Sequence, residues 1–113
     1  GEFLLLMDDD NVAFPHEVET FMMAAVASGA DVLTCQQQPF AGTGEPPPFK
    51  AELPIDWMPI GPNIAQAVYD NCLGDLNMLV RRDVWDKIGG FTHDRCGCED
   101  VEFLAKAVLQ GYK

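Results

Sequence analysis

The feature that most constrains this chain is the run Phe3-Leu4-Leu5-Leu6-Met7, which has no polar alternation and stops abruptly at Asp8-Asp9-Asp10-Asn11. A strand with one wet face would alternate polar and apolar side chains, so Glu2 to Met7 reads as a strand covered on both faces. Asp and Asn bond to their own nearby backbone and favour turns, which ends the strand there. The covering helix follows at once. From Pro15 to Ser28, Val18, Phe21, Met22 and Ala25 recur at the spacing of one helical stripe. Pro15 suits the first helical position, Glu17 and Glu19 complement the helix dipole, and Gly29 can cap the end. Asp31 to Cys35 is then a second short strand. Strand, helix and strand in one short stretch have the size of a βαβ unit, which predicts parallel pairing of the two strands.

The middle of the chain is different. Seven of the eight prolines lie between Pro39 and Pro62, with Gly42, Gly44 and Gly61 among them. Residues 38–62 therefore form a long proline-rich loop, too long for a routine connection and suited to a functional loop or lid. Phe40, Phe49 and Trp57 argue that it packs on something, against the alternative of a disordered insertion. Beyond it, Asn63 to Asn71 reads as a short helix, Asp75 to Val80 as a third strand, and Arg82 to Ile88 as a helix closed by Gly89-Gly90. Glu99 to Gln110 is the clearest helix, with Val101, Leu104, Ala105 and Val108 as its stripe and Gly111 as its cap. The expected class is α/β with a mostly parallel sheet.

Charge narrows the partners. The 113 residues suit one domain and hold 7 Lys plus Arg against 18 Asp plus Glu, a formal charge of −11. Nucleic acids and anionic membrane surfaces need a basic footprint, which is absent. The opening apolar run falls far short of the ~20 residues that cross a bilayer. Cys35, Cys72, Cys96 and Cys98 do not make two metal-type pairs. His93, Cys96 and Cys98 could supply three zinc ligands, but no fourth is evident, so reduced thiols and a cytoplasmic setting are expected. No signal-type segment precedes the first strand, and Gly111-Tyr112-Lys113 ends as if another element were about to start. The expectation is a piece of a longer protein.

Two groups of acids carry the chemistry. Residues two apart on a strand point the same way, so Asp8 and Asp10 should converge while Asp9 turns aside. Two convergent carboxylates make a hard oxygen site for Mg²⁺ or Mn²⁺, with positions left for substrate phosphates. An acidic protein can bind a diphosphate in this way because the metal reverses the local charge. Glu99-Asp100 opens the last helix, where acids are also what the helix dipole favours. Its weight comes from its company: Gly89-Gly90-Phe91, a short polar loop, then Glu99-Asp100-Val101-Glu102-Phe103.

With Asp8-Asp9-Asp10 after an apolar strand, Gly89-Gly90-Phe91, and Glu99-Asp100 opening a helix, the chain resembles the family 2 glycosyltransferases. The resemblance covers nearly the whole chain except the proline-rich middle. It implies the GT-A fold, a Rossmann-like three-layer arrangement around a mostly parallel mixed sheet, and transfer of a sugar from a nucleotide-sugar donor to a glycan or lipid-linked acceptor. It implies that Asp8 and Asp10 bind the Mn²⁺ or Mg²⁺ that holds the donor diphosphate. It also implies that Asp100 is the general base for the acceptor hydroxyl, with Glu99 beside it in the acceptor pocket, and that transfer inverts the anomeric centre. The family's nucleotide-binding half normally precedes the Asp-x-Asp strand, so the chain is expected to be the metal-and-acceptor half, inactive alone. It should self-associate through its exposed sheet, and in the parent enzyme it would work in the cytoplasm or at the cytoplasmic face of a membrane.

Other residues have weaker signals. Arg81 and Arg82 could steady phosphates but suit a surface. Gly74, Asp75 and Asn77 stand at a distance from Gly89-Gly90 that could bring them near the acceptor pocket. Trp85 and Phe91 suit the core, and Trp57 is the better sugar platform. His16 should be exposed, and His93 could reach a metal from the loop before Glu99. The rival enzyme is a haloacid-dehalogenase-type phosphatase, with Asp8 as nucleophile, Asp10 as acid/base, and Thr34, Lys50 and Gly74-Asp75 as later motifs. That rival leaves residues 89 to 100 without a role. A non-catalytic acidic binding module is the third alternative, although an EF-hand is excluded by Ala13 at the glycine position and by Pro15 inside the loop.

Overall fold

The computed structural model describes residues 1–40, 48, 57–93 and 97–113. Its elements in chain order are β1 (Phe3–Leu6), α1 (Glu17–Ser28), β2 (Val32–Thr34), α2 (Ile64–Ala67), β3 (Met78–Arg81), α3 (Arg82–Ile88) and α4 (Glu99–Leu109). The α/β class holds, but the expected parallel pairing does not form. The strand order is β1-β3-β2, and β3 pairs antiparallel with both neighbours. β1 and β2 do run the same way, as a strand-helix-strand unit should, but β3 lies between them. Leu6 and Thr34 both pair with Met78. The exits of β1 and β2 and the entry of β3 therefore lie at one end of the sheet. The outer edge of β1 pairs with no strand among the described residues.

Alternation along β3 divides the core in two. Met78 and Val80, both 0% exposed, face Cys72, Leu73, Phe103 and Leu104. Leu79 faces the other way, onto Phe21 and Ala25 of α1, with Phe3, Leu5 and Leu33 beside it. This central strand is buried on both faces, as a strand between two layers must be. α1 begins after Pro15, with His16 as its N-cap, because the chain is still turning at Pro15. It ends at Gly29 in the left-handed conformation, as expected. Of its predicted stripe, Phe21 and Ala25 are buried, whereas Val18 is 56% exposed. Trp85, Phe91 and Phe103 form one aromatic cluster with centroids 4.8 to 6.0 Å apart, so the expected core role of Trp85 and Phe91 holds.

α4 fixes the geometry of the site. Phe103, Leu104 and Ala107 are buried on the β3 side, and Val101, Ala105 and Val108 are half-buried around them. Just past its end, the Lys113 carbonyl accepts from the backbone N–H groups of Asp31 and Val32. α4 thus finishes where β2 starts, and its first turn lies toward the end where β2 finishes. No helix is long and apolar enough to cross a membrane among the described residues.

Candidate metal and acid-base site

Three loops meet at the exit end of the sheet: the residues after β1, those after β2, and those before β3. After β1, the Asp8 carboxylate accepts from the Asp9 N–H at 3.1 Å, and the Asp8 carbonyl accepts from Asn11 N–H at 3.3 Å. This turn brings one carboxylate oxygen from each of Asp8, Asp9 and Asp10 within 4.8 Å of one another, all three residues being exposed. Asp9 therefore does not turn aside as strand alternation predicts. β1 ends at Leu6, so period-two alternation no longer governs these residues. No Lys or Arg pairs with them among the described residues. Three like charges at this spacing, all hard oxygen donors, fit a divalent ion such as Mg²⁺ or Mn²⁺.

Before β3, the Asn71 side chain organises the approach. Its carbonyl oxygen accepts from Leu73 N–H and Gly74 N–H, and its amide donates to the Gly74 carbonyl at 2.7 Å. Gly74 has φ +146° and lies hard against Thr34, so the chain can press onto β2 only without a side chain there. Asp75 follows. One of its oxygens accepts from Asn77 N–H at 2.9 Å, and the other accepts from the side-chain amide of Gln37. Asn77 is 8% exposed; its amide donates to the Cys35 sulfur at 3.3 Å. The Cys35 thiol is pushed up to about 11, first by burial and then by the nearby Glu17 and Asp75, against a lowering contribution from Asn77. At neutral pH it is a protonated, inert thiol.

Glu99 and Asp100 form the first turn of α4 and are half-buried. Asp100 lies on the stripe that continues through Phe103, Leu104 and Ala107, so it faces the segment before β3. Burial holds its carboxyl above the ordinary Asp value. The N–H groups of Val101 and of Asp100 itself pull it down, while Glu99 and Asp75 push it up. A carboxylate made more basic than usual is suited to accept a proton. The two groups of acids thus share the end of the sheet. No hydrogen bond or ion pair joins Asp8 or Asp10 to Asp100 among the described residues, and the acids acting on Asp100 are Glu99 and Asp75.

No family model, curated protein or solved structure matches the chain.

The remaining candidates are distributed as follows. His16 is exposed and stacks on Phe14, as expected of its position. His93 and Cys98 are exposed, and Cys96 lies outside the described residues, as do Lys50 and Phe49. The Trp57 indole N–H donates to the Asn71 carbonyl at 3.0 Å, which ties the end of the proline-rich stretch to the segment before β3. The Thr34 hydroxyl donates to the Leu73 carbonyl at 3.2 Å, so it is already engaged within the core. Arg81 pairs with Asp31 and Asp83, and Arg82 donates to the Gly1 carbonyl, both at the opposite end of β3 from the acids. A cavity of about 100 Å³ lies between β2 and α4, lined by Val32, Thr34, Leu104, Ala107 and Tyr112 among others, and none of the candidate acids reaches it. Cys35 is a free thiol, as the sequence leads one to expect, whereas no motif in the sequence marks Gln37. A short polar run after an apolar strand, Gln36-Gln37-Gln38, is the signal that points to it.

Proposed function

We propose that the chain is the metal-and-acceptor half of a family 2-like glycosyltransferase that moves a sugar from a nucleotide-diphosphate donor to an acceptor hydroxyl, with inversion. The observation that carries this reading is the company kept at one end of the sheet: three clustered, exposed carboxylates after β1, with no Lys or Arg pairing them among the described residues, and a half-buried Asp100 made more basic than usual at the start of α4. Asp8 and Asp10 would hold Mn²⁺ or Mg²⁺, which as a Lewis acid supplies stabilisation of the departing diphosphate. Asp100 would accept the proton of the incoming hydroxyl, and Glu99 would flank the acceptor. Segregation matters here. The exposed triad is open to an incoming ion, whereas a base gains from partial burial. An antiparallel β3 suits the mixed sheet that the resemblance implies, and further parallel strands would pair on the outer edge of β1.

Calorimetric titration with Mn²⁺ plus inorganic pyrophosphate tests the proposal without needing the donor-base pocket. Uptake that requires both Asp8 and Asp10, and is lost in Asp8→Asn and Asp10→Asn, is the expected result. Equal uptake by the variants would overturn it. A stable beryllofluoride adduct on Asp8 would favour the phosphatase instead.

A further inference from the structure

Trp57 is held firmly in place but takes no part in the core. Neither core cluster includes it among the described residues, and no other ring stacks on it there. Trp85, by contrast, packs between Phe91 and Phe103. What fixes Trp57 is its polar handle. The indole N–H donates to the Asn71 carbonyl at 3.0 Å, and the Ile60 N–H donates to the neighbouring Cys72 carbonyl at 3.0 Å. The segment receiving these bonds is itself fixed, because the Asn71 side chain accepts from the N–H groups of Leu73 and Gly74. The ring is therefore half-buried and oriented, with its one polar atom already engaged by the protein. A tryptophan used only for packing buries its ring, whereas one pinned by its N–H outside the core offers an apolar face.

The surroundings say what that face suits. No Lys or Arg occurs from residue 51 to residue 80, while Asp70 and Asp75 flank the segment that holds the ring and Gln37 donates to Asp75. An anion would find no counter-charge there. A quaternary ammonium is recognised by a cage of several rings, and Trp57 stands without a second one among the described residues. A pyranose has the matching chemistry: a C–H face that lies on one indole ring, and hydroxyls at its rim that donate to carboxylate and amide oxygens. Asn71 adjoins Cys72 and Leu73, which pack with Phe103 and Leu104, so the ring stands on the α4 side of the sheet. We propose that Trp57 is a stacking platform for a neutral pyranose ring beside the segment that leads into β3. That this ring belongs to the acceptor rests on the transferase reading; the binding itself does not.

The test is an amide and indole NMR titration of the metal-free full chain with the methyl glycosides of glucose, galactose, mannose and N-acetylglucosamine. At least one glycoside should shift the Trp57 indole N–H signal at millimolar concentration while the Trp85 indole signal stays in place. Trp57→Leu, which keeps apolar bulk but loses the ring, should bind about three- to tenfold more weakly, read from the Gly74 and Asp75 amides, and Trp57→Phe should recover part of the loss. If Trp57→Leu does not fold, saturation transfer from the Trp57 ring protons to the sugar in the unaltered protein gives the same reading. A Trp57 signal that none of these glycosides moves, or a folded Trp57→Leu that binds as the unaltered chain does, overturns the inference. So does a signal moved by tetramethylammonium but by no glycoside, which would make the ring a cation platform. Pyrophosphate uptake with an unmoved Trp57 signal removes the platform alone, whereas a moved signal without pyrophosphate uptake keeps the platform and removes the transferase reading.

Discussion

Adding one methyl group at Gly74 should be among the most damaging small substitutions in the protein. A Cβ at this position would lie 2.2 Å from Cγ2 of Thr34 and 2.7 Å from its Cβ, well inside any real contact. Thr34 cannot simply rotate away, because its hydroxyl donates to the Leu73 carbonyl at 3.2 Å and its backbone pairs with Met78. Overpacking of this kind costs about 1–3 kcal/mol. The backbone adds to it: φ is +146°, which side-chain-bearing residues rarely adopt, at a cost of about 1–3 kcal/mol. Gly74→Ala should therefore lose roughly 2–6 kcal/mol, which for a domain of this size lowers the melting temperature by at least about 8 °C. Thermal and urea unfolding, followed by circular dichroism, read this directly. In a Thr34→Gly background the steric part should vanish, leaving the smaller backbone cost and a coupling of about 1–3 kcal/mol between the sites. If Gly74→Ala melts with the unaltered chain, or if Thr34→Gly rescues nothing, the close approach of residues 72–77 to β2 is wrong, and with it the placement of Asp75.

Three further outcomes follow from the same geometry. At pH 8 a thiol that titrates at about 11 is roughly one part in a thousand thiolate, against one in ten at the ordinary 9.0, so Cys35 should react with a disulfide reagent about 100-fold slower than a cysteine in a short peptide; comparable rates would refute its burial beside Glu17 and Asp75. Asp100 has a raised proton affinity in the folded state, so it favours folding below the ordinary Asp value of 3.8 and opposes it once ionised at higher pH. Asp100→Asn should accordingly raise the melting temperature at pH 7 and lose that advantage as the pH falls below 3.8, and a variant less stable at pH 7 would contradict this. The outer edge of β1 presents an apolar strand without proline or lysine, so the chain should self-associate at high concentration; a strictly monomeric species in sedimentation would refute that.

Local signals in the sequence translated well into helices. The Phe21 and Ala25 part of the α1 stripe and its glycine stop, the Gly89 cap of α3 and the apolar face of α4 follow from side-chain spacing and from the conformational freedom of glycine at a left-handed turn, whereas Val18 of the expected stripe is exposed. Strand order did not, because it depends on contacts distant in sequence. Nothing within Met78–Arg81 says that it will insert between β1 and β2, and a strand buried on both faces has the same apolar pattern in either direction. The turn after β1 is legible, since Asp and Asn favour turns and the strand does end there, but the convergence of Asp9 with Asp8 and Asp10 is not, because strand alternation stops at the last paired residue, Leu6. Asp75 was legible in part: an Asp two residues before Asn77 is a turn former, and its oxygen does accept from that N–H. Its link to Gln37 spans strands that no local pattern joins.

If the proposal is right, a divalent ion at Asp8 and Asp10 lies at the same end of the sheet as Asp100. Paramagnetic broadening by Mn²⁺ in an amide NMR spectrum tests it most directly, because the effect falls off steeply with distance from the ion. Substoichiometric Mn²⁺ should broaden Asp8 to Asn11 first, then Asp75, Asn77 and Asp100, while Arg82 and Lys87 stay sharp, and Asp8→Asn with Asp10→Asn should abolish the pattern. Broadening that leaves Asp100 as sharp as Lys87 would put the base and the metal in different places, and sugar transfer by these residues would have to be given up.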